Sequence, residues 1–512
     1  LLRQGHDALR AAEGLAEALG DRRALSLARG HLARLYRDQG REDEALVLTG
    51  QAIFPAQEAG APDLLFRWHW QAGRLLRARG DLAGAAGAYD AAVVNLRQIR
   101  PDLLRTIGGY GSPFRTTVGP LFLEIADIEL RRAASLGDPR AAQRHLVAAR
   151  DAVEQIKAAE LEDYFEDDCV ASLRAKARSI DAIAPTTAVL YPILLPDRLE
   201  ILVGLADGIR QVTVPVGGQE VAAAARSFRG LLEQRTTSRF AADARRLYDW
   251  LVRPVEPVLA GRPIDTLVLV PDGPLRTIPM AALHDGQQFL VERYALAVTP
   301  GLSLIEPRAL SAGEAEVLLA GLTEGVQGFP PLPHVAAELS RIRDLTGGTL
   351  LENRSFVIDQ VRDALRRTPY SVVHIASHGK FEREAEDSFI LTFDGRMSMD
   401  QLERFVKLSQ FRDEPVELLT LSACQTAAGD DRAALGLAGI AIKAGARSAL
   451  ASLWFINDQA ASQLVGTFYQ HLRDGTVSKA EALRRAQTSL LADQRYRHPG
   501  YWAAFLLIGN WL

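Results

Sequence analysis

Two short apolar runs in this chain each end on a residue able to do chemistry. Ser371-Val-Val-His-Ile-Ala-Ser-His-Gly379 carries His378 where the run breaks into small and polar residues. Leu418-Leu-Thr-Leu-Ser-Ala-Cys-Gln-Thr426 carries Cys424 at its own break, 46 residues later. Both runs read as strands. If the strands are parallel neighbours, His378 and Cys424 emerge at one carboxyl edge of a sheet, where open α/β folds build their sites. A thiol with a free pKa of about 8.5 is only partly thiolate at neutral pH. A neighbouring imidazole can take its proton, which makes Cys424 a nucleophile and His378 its base. The thiolate would attack a peptide carbonyl, and His378 would then protonate the leaving amine. Backbone donors must hold the oxyanion, and the N–H groups of Cys424 and Gly379 are the candidates. Gly379 has no Cβ and lets a substrate approach closely. The sequence names no third member of this constellation, and no metal or cofactor is expected.

His374 lies inside its strand and reads as a packed core histidine. Cys169 lies in a helical stretch with no His nearby in sequence and reads as a small buried residue. His284 and His334 are loop histidines without partners in view.

The elements around these residues divide the chain. Residues 1–160 read as helical repeats: Gly40 is followed by Ala45 and Ala52, Gly80 by Ala85 and Ala92, and Gly137 by Ala142 and Ala149. A Gly in the turn, with small residues where two helices cross, fits a helix–turn–helix repeat. Ile107-Gly-Gly-Tyr-Gly-Ser-Pro-Phe114 reads as an inserted loop, and residues 161–185 as an acidic, then basic, linking helix. From residue 186 the pattern turns to strands. Residues 186–260 should hold an antiparallel hairpin or meander (Ala188–Leu195, Leu199–Leu205, Ile209–Val216) and a helix from about Val221 to Leu259. In residues 261–512 apolar strands at Thr266–Val270, Glu316–Gly321, Ser371–Ala376, Val416–Leu421, Arg447–Trp454 and Ala503–Ile508 alternate with helices. That pattern predicts a mostly parallel sheet covered on both faces.

Several motifs in order carry a family resemblance. The stretch from His31 to Leu46 resembles a tetratricopeptide repeat. His378-Gly379 and Ser422-Ala-Cys424 resemble the caspase-like peptidases. Leu247-Tyr-Asp-Trp-Leu-Val-Arg-Pro254, Val270-Pro-Asp-Gly-Pro-Leu-Arg-Thr-Ile-Pro-Met-Ala-Ala-Leu283, Ala449-Leu-Ala-Ser-Leu-Trp-Phe-Ile-Asn-Asp458 and His498-Pro-Gly-Tyr-Trp-Ala-Ala-Phe-Leu-Leu-Ile-Gly-Asn510 look like the CHAT family. The resemblance implies a helical solenoid of tetratricopeptide type followed by a caspase-like α/β domain. It also implies a cysteine endopeptidase acting on a protein, recruited or gated by a protein activator or effector complex on the repeats, in bacterial defence or programmed cell death. Asp458 resembles the corresponding Asp of separase-like peptidases, which would select Arg or Lys at the cleavage position. Asp458 also reads as the N-cap of the following helix, which is the stronger reading from sequence. Ser422 could line the same pocket but brings no charge. Asp430 and Asp431 read as solvated loop residues. The competing class is a non-enzymatic scaffold, a repeat protein whose α/β domain has lost its activity; retention of both His378 and Cys424 argues against it.

Composition narrows the rest. At 512 residues with 48% hydrophobic content, the chain holds more than one domain and ample core. A net charge of −4 argues against direct nucleic-acid or membrane binding. Two cysteines are too few for a disulfide framework, so a reducing cytoplasm is expected. Only six of 59 basic residues are Lys, which fits a GC-rich bacterial coding bias. The start at Leu1-Leu2, in what reads as mid-helix, suggests a fragment or processed form.

Overall fold

The computed structural model describes residues 2–106, 116–165, 184–304, 316–382, 385–410, 416–426, 433–437, 439, 445–473 and 475–512. The chain forms two compact units, Leu1–Ile156 and Lys157–Leu512.

Among the described residues the first unit is all helical: α1 (Leu2–Leu19), α2 (Arg22–Arg37), α3 (Glu42–Glu58), α4 (Pro62–Ala78), α5 (Leu82–Thr106), α6 (Gly119–Ser135) and the start of α7 (Pro139–Phe165). Four turns are built alike. Gly20, Gly40, Gly60 and Gly80 have φ of 69°, 73°, 56° and 81°. In each turn the next residue donates its N–H to the carbonyl five positions back: Asp21 to Ala16, Arg41 to Tyr36, Ala61 to Ala56 and Asp81 to Leu76, all at 3.0 Å. This is the Schellman closure, which satisfies helix-end carbonyls and favours Gly at the left-handed position. The expected turns at Gly40 and Gly80 are present; those at Gly20 and Gly60 show that the repeat is built from helices spaced by about 20 residues. Ala45, Ala52, Ala85 and Ala92 are fully buried, as helix crossings require. The third unit departs from the pattern, because Ala142 is only half-buried and Gly137 does not take positive φ. The loop expected at 107–114 lies outside the described residues, as does 166–183 of the expected linking helix at 161–185, with Cys169; residues 161–165 continue α7.

Among the described residues the second unit is a 13-stranded mixed sheet with helices. It opens with the predicted antiparallel meander, β1 (Thr187–Leu194), β2 (Leu199–Leu205) and β3 (Gly208–Val214). The single helix expected from Val221 to Leu259 is instead broken into α8 (Gly218–Glu233), α9 (Phe240–Leu251) and one turn at Glu256–Leu259. Thr236, Thr237 and Ser238 compete for backbone hydrogen bonds at the first break, and Pro254 bars continuation past the second.

The remaining strands are β4 (Thr266–Leu269), β5 (Ala295–Val298), β6 (Val317–Gly321), β7 (Thr349–Glu352), β8 (Val372–Phe381), β9 (Phe389–Leu391), β10 (Arg396–Ser398), β11 (Leu418–Thr426), β12 (Ser448–Ser452) and β13 (Phe505–Gly509). Between them run α10 (Val335–Thr346), α11 (Ile358–Arg367), α12 (Met399–Gln410), α13 (Asp458–Arg473) and α14 (Lys479–Ala492). The main path is β10-β9-β8-β11-β12-β13-β5-β4-β1-β2-β3, and β6 and β7 join beside β8. Pairing is parallel at the centre and antiparallel at the meander, at β12–β13 and through β8–β9–β10. Every residue of β4, β5, β6, β12 and β13 is buried. That is why these strands are apolar on both faces, each Leu or Val contributing about 1.5–3 kcal/mol by burial.

Candidate active site

The condition set by the sequence is met: β8 and β11 are adjacent and parallel. Thr420 pairs with His374, Ser422 with Ala376 and Cys424 with Gly379. Between the last two pairs β8 has two residues, Ser377 and His378, where β11 has only Ala423. His378 therefore sits in a β-bulge, a device that re-aims a side chain and often borders active sites. The other edge of β8 changes partner at the same place. It pairs with β6 up to Ala376, and with β9 from Gly379 onward. Ser377 pins the bulge, its buried hydroxyl donating to the Leu391 carbonyl at 2.6 Å. His378 is left half-exposed at the carboxyl end of the parallel strands.

A loop from β6 to α10 orients the imidazole. The Nε2 of His378 lies 2.8 Å from the Pro330 carbonyl oxygen. A carbonyl can only accept, so Nε2 carries the proton and Nδ1 holds the free lone pair. The Phe329 ring packs on the imidazole with centroids 5.2 Å apart. The loop is held at several points. Leu322 N–H bonds the Ala376 carbonyl at 3.0 Å, and Leu332 N–H bonds the Thr323 carbonyl at 3.2 Å. The Asn353 side-chain oxygen accepts from the N–H groups of Thr323 and Glu324. No side-chain motif could announce this backbone acceptor; its signal in the sequence is a Gly- and Pro-rich stretch, Gly325 to Pro333.

Asp458 begins α13, but its carboxylate does not cap that helix. The Asn457 side-chain oxygen accepts from Ala460 N–H at 3.1 Å and takes the capping role. Asp458 Oδ2 accepts instead from His334 N–H at 2.8 Å, at the start of α10. Burial raises the Asp458 pKa above the usual Asp value; the His334 N–H and the charge on His378 oppose that rise, while Glu338 adds to it. The turn leading to Asp458 is braced by Arg229, which donates to the Leu453 carbonyl at 2.8 Å and lies over the Trp454 ring at 4.6 Å. Trp454 Nε1 in turn donates to the Gly500 carbonyl at 3.1 Å.

Ser422 is buried, 1% exposed, and among the described residues its hydroxyl has no hydrogen-bond partner. It lies within the sheet and not on an open cleft wall. His374 is a fully buried core residue, as its place in the strand implied. His284 is a turn residue whose Nδ1 accepts from Gly286 N–H at 3.0 Å. Asp430 and Asp431 lie outside the described residues. Among the described residues no group of three or more His, Cys, Asp or Glu could hold a metal ion, and no helix is long and apolar enough to cross a membrane.

Known proteins resemble parts of the chain. Tetratricopeptide repeat protein 28 of Homo sapiens is 24% identical over 339 residues, covering 54% of this chain and 13% of its own length. Its Mus musculus counterpart is 26% identical over 343 residues, covering 54% and 14%. This chain therefore spans only a small part of those relatives. Two crystal structures of the Saccharomyces cerevisiae separase–securin complex align with TM-scores of 0.46 and 0.47 at 10% and 11% identity. They cover 98% and 99% of this chain and 48% and 47% of theirs. The CHAT domain matches residues 241–510, more than half of the chain and the whole of the site described above. The chain belongs to the CHAT-domain family.

Proposed function

We propose that this chain is a cysteine endopeptidase in which Cys424 is the nucleophile and His378 its base. The observation that carries the reading is the register of β8 against β11, with Cys424 opposite Gly379 and His378 in the bulge beside them. The Nδ1 lone pair takes the thiol proton, and the resulting thiolate adds to the scissile carbonyl carbon. The imidazolium keeps its Nε2–H on the Pro330 carbonyl, which steadies both its ring and its charge. The tetrahedral oxyanion is received by the N–H groups of Gly379 and Cys424, register partners that stand abreast. Nδ1–H then protonates the leaving amine as the carbon–nitrogen bond breaks. Water, deprotonated by the same nitrogen, hydrolyses the thioester.

Asp458 is the proposed selector of Arg or Lys at the cleavage position. Its carboxylate is held from outside its own helix and is coupled to His378. The helical repeats are the proposed docking surface for a substrate or activator protein, in keeping with the concave faces that stacked repeats make.

The test is N-terminomics on a bacterial lysate treated with the chain or with Cys424→Ala. New N-termini that need Cys424 support the peptidase, and the residue before each reads out the preference. If none appear, and alkylation of Cys424 is indifferent to His378, the scaffold reading replaces it. The only observation favouring that second reading is that the curated relatives are named for their repeats.

A further inference from the structure

One layer beneath the proposed dyad lies a second set of polar side chains that the chemistry does not use. His374, Thr420, Glu338 and Tyr469 are each 0–1% exposed. His374 Nε2 is 3.1 Å from Glu338 Oε1. That is ion-pair distance without a hydrogen bond, and among the described residues neither Glu338 oxygen has a hydrogen-bond partner. On the other side of the ring, His374 Nδ1 is 3.4 Å from the Tyr469 hydroxyl. The same hydroxyl is 2.8 Å from Thr420 Oγ1. Tyr469 also meets the imidazole edge-on, with centroids 5.6 Å apart.

The placement of these four follows the site above them. His374 is four residues before His378 on β8, and Thr420 is four residues before Cys424 on β11. They are register partners of each other. Glu338 is one turn into α10 from His334, whose N–H holds Asp458. Tyr469 lies on α13, the helix that Asp458 begins. Each of the four elements that present a site group therefore contributes one member to the buried set. The set is also felt at the site, because the Glu338 charge adds to burial in raising Asp458. Burial, reinforced by Glu338, likewise keeps Tyr469 protonated as a hydroxyl.

Stability alone is a poor reason for this arrangement. A buried polar group without a full set of partners is destabilising, and apolar replacement of buried ionic groups is often neutral or stabilising. A polar contact from each strand and helix to its neighbour does fix relative position, which side-chain chemistry needs to within about 0.5 Å.

We propose that Glu338, His374, Tyr469 and Thr420 form a positioning network that sets His378 against Cys424 and holds Asp458 at the mouth of the site. It rests on the peptidase reading above. Tyr469 is the hub, since its one hydroxyl meets both strands; Glu338 ties α10 to β8. None of the four touches the substrate.

The test reads Cys424 itself, with no need of a substrate. Iodoacetamide alkylation of Cys424 is followed by peptide mapping across pH 5–9.5 in the full chain, in His378→Ala, and in Tyr469→Phe, Thr420→Val and Glu338→Gln. Thermal unfolding of each variant is measured alongside. The parent should show an inflection below the free-thiol value of about 8.5 that His378→Ala abolishes. Tyr469→Phe should move that inflection upward by about one unit, slowing alkylation about tenfold below the inflection while the unfolding temperature holds. Glu338→Gln should act in the same direction. A network that only stabilises the fold would lower the unfolding temperature and leave the inflection where it is, which would overturn the proposal. If the parent itself shows no dependence on His378, the dyad reading fails first, and the network loses its role with it. Should Glu338→Gln not fold, Tyr469→Phe and Thr420→Val, which each lose one hydroxyl, still decide the matter.

Discussion

The Nε2 of His378 and the carbonyl oxygen of Pro330 lie 2.8 Å apart, and this one contact assigns the tautomer of the proposed base. A backbone acceptor cannot be deleted by substitution, but it can be displaced. Gln327 and Gly328, just before it, have φ of 52° and 82°. A Cβ at Gly328 would meet nothing within 4 Å, so a substitution there acts through backbone conformation alone. Gly328→Val should cost about 1–2 kcal/mol in local strain. It should cut the cleavage rate several-fold more than the unfolding temperature suggests, because the Pro330 carbonyl moves. Cleavage and thermal unfolding measured on the same preparation check this; an unchanged rate would show that the contact does not orient His378.

Asp458 gives a charge-specific prediction. Asp458→Asn should leave the His334 N–H bonded to an amide oxygen but remove the charge that selects a basic residue. Loss of the Arg and Lys preference, scored by N-terminomics, is the expected outcome; an unchanged preference would exclude Asp458 from selection. The pH dependence has a definite sign. Burial raises the carboxyl above its ordinary 3.8, so its proton returns earlier as pH falls, and basic selection should fade in a window above 3.8. For folding, a raised carboxyl contributes stability below 3.8 that is lost as pH rises through the folded value. Asp458→Asn should therefore gain on the parent at neutral pH and not in acid.

The readable part of the site was its pair of strand ends. Two nine-residue runs, one carrying His378 and the other Cys424 where each breaks into small and polar residues, placed both residues through period and composition alone. The bulge was hidden, because an extra residue in β8 is defined only by counting against β11. Pro330 was hidden for another reason: any residue offers a carbonyl, and only the fold decides which one reaches the imidazole. Asp458 looked like a cap since it precedes a helix, yet Asn457 took that place and freed its carboxylate. In the fold, β5, β7, β9 and β10 escaped because three or four residues make too short a period to read. The turns at Gly20 and Gly60 escaped because no paired Ala offsets marked them.

The end of α7 should control both loops that follow the site strands. The Tyr164 hydroxyl donates to the Glu382 carbonyl at 2.9 Å, just beyond β8. It also lies 2.2 Å from where a Cβ on Gly436 would stand, in the short helical segment after β11. Gly436→Ala should force Tyr164 aside, destabilising by about 1–3 kcal/mol through overpacking and lowering the cleavage rate. Gly230→Ala in α8, where a Cβ meets nothing within 4 Å, is the matched control and should stabilise by about 0.5–1 kcal/mol. Urea unfolding of the two variants tests the contrast. Equal effects would mean that Tyr164 is free to yield.

Lys479 makes the sharpest prediction for stability against pH. It opens α14 fully buried, and among the described residues its Nζ has no hydrogen-bond partner. Burial, with help from the Arg447 charge and against the pull of Glu417, lowers its pKa from 10.5 to about 8. Glu417 is already committed to Arg447 at 3.0 Å. A lowered lysine pKa favours the neutral amine in the folded state, so its stabilising share is complete above 10.5 and lost as pH falls through about 8. At pH 7 the fold must hold a buried, unpartnered ammonium. Lys479→Met should therefore be more stable than the parent at pH 7, on the order of 2–3 kcal/mol. The advantage should shrink steadily from about pH 8 toward 10.5. Urea unfolding of both proteins at pH 7 and about pH 9.5 measures it. An advantage that does not change with pH would mean that repacking, and not the lysine's proton, accounts for the difference.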